Sequence, residues 1–181
     1  MPDYYERNFG LTKKLPQTGS VFFDVGANEG AWALTLAPGY TKVHAFEPDI
    51  RAVLQLHKNI KAAHLEDKII MNNYALSCTE GLLTLALHDN HVHTRNYDKA
   101  PPVHDDPSVG PVRVVATVQC CRLDTVLQAQ PELDLSRAAV KIDVEGSELD
   151  VLIGAEGLLY TFHPALLVEI HSQELKNTCL A

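Results

Sequence analysis

Cationic charge is scarce in this chain: 15 lysines and arginines stand against 23 aspartates and glutamates, for a net charge of −8. A chain this acidic lacks the electrostatic footprint of nonspecific nucleic-acid binding. Cysteine is scarce too. Cys78, Cys120, Cys121 and Cys179 are the only four, and no two form a C-x-x-C pair, which argues against a structural zinc site or a dithiol redox site. All four are expected to be reduced packing residues, as in a cytoplasmic protein. No apolar run approaches the roughly 20 residues of a membrane-spanning helix. The first residues, Met1-Pro2-Asp3-Tyr4-Tyr5-Glu6, carry no basic-then-apolar secretory signal.

What is present is an ordinary globular composition: 181 residues, 46% apolar and 21% charged. That suits one domain with a real core. Residues 1–20 read as a leader ending in the turn Pro16-Gln17-Thr18-Gly19, and residues 21–181 as a single domain. The densest stretch is Val21 to Gly30, VFFDVGANEG. An apolar run, a glycine turn and an Ala/Leu-rich helical pattern follow one another, as in a buried parallel strand feeding a helix. Glycines at such a turn let a ligand approach the backbone, and the helix start offers N–H groups to a polar ligand. Lys42 to Glu47 reads as a second strand. Glu47 lies 21 residues beyond Gly26, where an acid reaches the ribose hydroxyls of an adenosine in a doubly wound sheet. The turn lacks the G-x-G-x-x-G of a dinucleotide site, and Asp24 just upstream would repel a pyrophosphate. Asp24 suits the cationic amino-acid tail of S-adenosylmethionine. A methyl donor is therefore favoured over NAD, and an NAD-dependent oxidoreductase is the weaker alternative.

Downstream, Asp49 to Ala63 has helical periodicity with Asp49 as its N-cap. Lys68 to Leu76 reads as a third strand with a polar edge at Asn72-Asn73. There Asn73 is placed to bond the adenine, with Ala75 or Leu76 flanking it and Pro48 beside Glu47. Residues 82–88 and 112–123 read as a hairpin-like β-rich insertion, spanning about 82–122, around a polar loop at 89–110. His88, His91, His93 and His104 of that region have no acid or cysteine at recognised ligand spacing, so a substrate-covering lid is expected there and no metal. Leu123 to Gln130 reads as a short helix. Ala139 to Glu148 reads as a strand ending in acids, followed by a helix over 147–160, and Pro164 to His171 as a fifth strand.

Asp24, Glu47, Asn73, Asp143, Glu145 and His171 all fall at or just after strand ends, where an open parallel sheet binds ligands. Alternation along a strand places Asp143 and Glu145 on one side. Asp143, Glu145 and His171 are the candidate general bases for removing a hydroxyl proton, with divalent metal assistance ranked second.

The motifs FDVGANEG, HAFEPD, NYALS followed by EG, LDTVL, VKIDVEGSELDVLIGAEGLL and LLVEIH resemble, in this order, the FkbM-type family of class I S-adenosylmethionine-dependent methyltransferases. The resemblance spans about Val21 to His171. It implies an α/β fold with a Rossmann-like, doubly wound, mostly parallel sheet flanked by helices. It implies donor contacts at Asp24, Gly26, Ala27, Asn28 and Gly30, with Glu47 on the ribose, and O-methylation of a hydroxyl on a small molecule, sugar or lipid. A complete class I sheet carries two further strands after the fifth, and residues 172–181 cannot supply them, so the C-terminal end reads as truncated. A bare sheet edge there invites pairing with another chain, including a second copy. A non-catalytic module that keeps only the donor pocket is the second alternative.

Overall fold

A computed structural model describes residues 11–88, 94–96 and 112–170. Five parallel strands form the main sheet: β1 (Gly19–Val25), β2 (Tyr40–Phe46), β3 (Ile69–Asn72), β8 (Ala139–Ile142) and β9 (Ala165–Val168). Their order across the sheet is β3-β2-β1-β8-β9. All seven residues of β1 are buried, as expected for a central strand covered on both faces. Its alternate side chains separate two cores. Phe22 packs with Trp32, Leu36, Val43, Leu56 and Ile60, beneath helices α1 (Ala31–Leu36) and α2 (Ile50–Ala62). Val21, Phe23 and Val25 pack with Val140, Ile142, Leu123, Val151 and Leu158 on the other face. That face carries α3 (Leu123–Gln128), α4 (Glu148–Gly154) and α5 (Glu156–Phe162). Helices on both faces of a parallel sheet make a Rossmann-like α/β fold.

A second sheet runs in the order β4-β7-β5-β6, from β4 (Ala75–Leu76), β5 (Gly81–His88), β6 (Thr94–Asn96) and β7 (Val112–Cys121). β5 and β7 pair antiparallel from Gly81↔Cys120 to Leu87↔Val114, which is the hairpin-like insertion expected from the sequence. β6 pairs with β5 within the stretch expected to be a loop; His91, His93 and His104 lie outside the described residues.

Three expectations about elements are corrected. Lys68 to Leu76 is two strands, not one: β3 belongs to the main sheet, while Ala75 and Leu76 pair with Cys120 and Cys121 in the second. The helix expected over 147–160 is two helices. Asp124 of α3 accepts hydrogen bonds from the N–H groups of Gly157 and Leu158 at 2.9 and 3.0 Å, so the chain at α5 starts a new, separately capped helix. β1 begins at Gly19, within the stretch read as leader, and Leu15 of that stretch is buried in the first core. Among the described residues no helix is long and apolar enough to cross a membrane.

Candidate functional site

The carboxyl ends of β1, β2 and β8 lie side by side, and the loops leaving them build one rim. The turn after β1 is held almost wholly by protein groups. Gly26 and Ala27 both donate their N–H to the Phe46 carbonyl at 3.0 Å, and Gly30 donates to the Ala27 carbonyl at 2.8 Å. The Asn28 N–H donates to Glu47 Oε2 at 2.9 Å. Ala33, in the first turn of α1, donates to Asp24 Oδ2 at 2.9 Å. The N–H groups of these five positions are therefore turned to protein acceptors. Asn28 sits at φ 49°, and its Oδ1 is buried without a hydrogen-bond partner.

Glu47 follows β2 and is 6% exposed. Besides the Asn28 N–H it accepts the Asp49 N–H through Oε1 at 2.8 Å, so one carboxylate ties the β1 turn to the start of α2. Burial pushes its carboxyl up to about 7, against the pull of the Asp49 and Asn28 N–H groups. Asp49 caps α2 as expected, accepting the Arg51 N–H at 2.9 Å.

The junction of β1 and β8 has a different construction. Asp24 and Lys141 are register partners across the two strands, and both are buried, at 0% and 3% exposure. The Lys141 ammonium lies 3.4 Å from Asp24 Oδ1 and 3.5 Å from Asp143 Oδ2. It also donates to the Gly26 carbonyl at 2.8 Å and the Val25 carbonyl at 3.4 Å. Burial lifts the Asp24 carboxyl above its ordinary range, and Lys141 and the Ala33 N–H pull against that rise. Gly26, at φ 74°, is squeezed against the neighbouring turn: a Cβ there would fall 1.8 Å from the Asp143 carbonyl oxygen.

The expected site residues separate accordingly. Asp24, expected to meet a cationic tail, is fully buried and faces Ala33 and Lys141 instead. Gly26 is required by the Asp143 backbone, and a Cβ on Gly30 would fall 2.3 Å from Leu56 Cδ1; both positions are fixed as glycine by internal packing. Asn73 does not present its amide nitrogen to a base, since Nδ2 donates to the Glu47 and Pro48 carbonyls at 3.0 and 3.2 Å. Ala75 is buried in the second sheet, paired with Cys120. Pro48 is half-buried beside Glu47. Asp143 is also half-buried, with its side chain 21% exposed. Glu145 is half-buried too, but at φ 54° with Gly146 at φ 104°, so the strand alternation that would align it with Asp143 ends at Ile142. His171 lies outside the described residues. Lys141 was missed by sequence reasoning. Its signal is a lone lysine inside the apolar strand AVKI, where a charge survives only with partners.

The likenesses of this chain agree with the architecture. The crystal structure of a methyltransferase FkbM from Methylobacillus flagellatus KT superposes with a TM-score of 0.54 at 16% identity, covering 84% of this chain and 32% of that one. The chain thus spans about a third of that protein's length. The crystal structure of precorrin 8W decarboxylase from Methanobacterium thermoautotrophicum gives a TM-score of 0.50 at 14% identity, over 98% of this chain and 67% of that one. At these identities both show the fold alone. Among curated proteins, none matches the sequence. The sequence model of the methyltransferase FkbM domain matches residues 24–178, nearly the whole chain, and the protein therefore belongs to the FkbM methyltransferase family.

Proposed function

We propose that this chain binds S-adenosylmethionine across the carboxyl ends of β1, β2 and β8 and transfers its methyl group to a hydroxyl of a small molecule, sugar or lipid. The observation that carries the reading is the polarity of the rim. The N–H groups of Gly26, Ala27, Asn28 and Gly30 are directed to protein acceptors, and the rim carries the Glu47 and Asp143 carboxylates beside the partnerless Asn28 Oδ1. Such a rim suits a ligand rich in donors, with vicinal hydroxyls and an ammonium group, and disfavours a pyrophosphate.

In this reading Glu47 accepts the ribose hydroxyls, two acceptor oxygens meeting two donors. The orphaned Asn28 Oδ1 gains a donor, which removes the penalty of a buried unpaired acceptor. The ammonium of the amino-acid tail, with Asp24 fully buried, falls to Asp143. Glu145 on the same turn takes the proton of the acceptor hydroxyl. When bound, the donor supplies an already activated methyl group, so the chain's task is chiefly alignment.

Calorimetric titration with S-adenosylhomocysteine, with NAD as the control ligand, tests this. Micromolar binding of the former and none of the latter is expected. Equal binding of both, or binding of neither, overturns it.

A further inference from the structure

We propose that Lys141 is a positioning residue of the donor site, acting through Asp143 and the Gly26 turn; this rests on the donor-binding reading above. A lysine ammonium at 3% exposure is an expensive feature to bury, tolerated when its partners compensate for lost water. The partners of Lys141 come from both strand ends at once. Asp24 Oδ1 and the Val25 and Gly26 carbonyls belong to β1 and its turn; Asp143 Oδ2 belongs to the turn after β8.

The two turns also meet directly. The Asp143 N–H donates to the Val25 carbonyl at 3.1 Å, and the Asp143 carbonyl fills the space a Cβ on residue 26 would need. The ammonium therefore sets both the spacing of the turns and the direction of the half-exposed Asp143 carboxylate. Asp24 and Asp143 would repel each other without it. Asp24 is the inner anchor of this arrangement and Asp143 its outer, ligand-facing member. Glu47 hangs on the backbone N–H groups of Asn28 and Asp49. The Asn28 N–H belongs to the Gly26 turn but the Asp49 N–H to the start of α2, so the ribose end keeps one support outside the two turns and the tail end depends more heavily on Lys141.

That difference in dependence supplies the test. S-Adenosylhomocysteine carries both the ribose and the amino-acid tail, whereas adenosine carries the ribose alone. Lys141→Met removes the cation with little change in side-chain length. It is expected to weaken S-adenosylhomocysteine on the order of tenfold, the scale of a modest misplacement of site groups, and to leave adenosine within about twofold. In an Asp143→Asn background the same substitution is expected to add little, since the two act as a unit. Equal losses for both ligands, or additive losses in the double variant, would reduce Lys141 to a general structural part and overturn the proposal. Should Lys141→Met not fold, Lys141→Arg serves instead: its larger planar head displaces the turns and lowers the affinity ratio of the two ligands, and an unchanged ratio overturns the proposal.

Hydrogen exchange on ligand-free protein gives a readout independent of the donor. In Lys141→Met, amides of residues 24–28 and 143–147 are expected to exchange faster together, with β2 and β3 unaltered. Unchanged exchange at both turns overturns the tie. Wild-type protein that binds neither ligand would refute the donor-binding reading, and the exchange result would still decide whether Lys141 holds the two turns.

Discussion

Glu47 and Asp24 are both buried carboxylates, one strand apart, and they are held by opposite means. Glu47 rests on two neutral backbone N–H groups and carries a carboxyl raised to about 7. Asp24 accepts one backbone N–H and lies against a buried ammonium. Neutral dipoles hold a carboxylate in place while leaving its protonation open near neutrality. A buried cation braces it from beneath and turns it inward, against a burial that lifts its carboxyl above the ordinary range. The difference teaches that an acid at a strand end is not by itself a ligand group; what lies beneath it decides whether it serves the rim or the frame.

The largest expected effect tests the frame. Asp24→Ala leaves Lys141 with one carboxylate fewer and removes the acceptor of the Ala33 N–H. Breaking a buried pair from one side costs about 3–5 kcal/mol, which urea denaturation at pH 7 would show. A loss under about 1 kcal/mol would mean that Asp143 and the carbonyls suffice for the lysine, and the contrast with Glu47 would fail.

Next comes the rim. The Glu47 carboxyl is raised from 4.5 to about 7 in the folded chain, so between those values the folded state holds a proton that the unfolded state has released. The associated stability is complete below about pH 4.5 and is lost as pH rises through 7. The size is roughly 3 kcal/mol across the whole window, by the linkage of shifted pKa values to stability. Glu47→Gln should flatten this part of the stability-versus-pH curve. The wild-type affinity for S-adenosylhomocysteine should rise through pH 7 as the carboxylate forms. Parallel curves for wild type and variant would place the titration elsewhere.

The smallest effect is expected at Asp124, a third carboxylate that accepts two backbone N–H groups, here at the start of α5 and away from the rim. Asp124→Ala should cost about 1 kcal/mol, the usual size of a lost helix cap, with no change in donor affinity. A change in affinity would show that the helical face and the rim are coupled.

The sequence made Glu47 and the Asp49 cap legible because their meaning is local. An acid at the end of an apolar run, a proline and then a helical pattern fall within a few residues. The ion pair beneath Asp24 was hidden because Lys141 meets it only through the register of β1 and β8, and nothing near Asp24 in the chain announces it. The signal at Lys141 was there, a charge amid AVKI, but its meaning depends on the neighbouring strand. Two short apolar pieces on either side of Asn72-Asn73 likewise read as one strand and hid the division of 68–76 between two sheets. At Asn73 the amide reaches back to the Glu47 and Pro48 carbonyls, and the chain leaves the main sheet there. The alternation expected for Asp143 and Glu145 failed for a backbone reason, since a residue at positive φ ends the extended geometry that alternation assumes.

The contact between residue 26 and the Asp143 carbonyl also bears on how this chain can vary. A side-chain clash can be relieved by rotating or trimming a neighbour, so compensating changes exist. Here the obstacle is main chain, common to all amino acids at position 143, and no second substitution removes it. A library randomised jointly at 26 and 143 and selected for folding alone should return glycine at the first position whatever residue stands at the second.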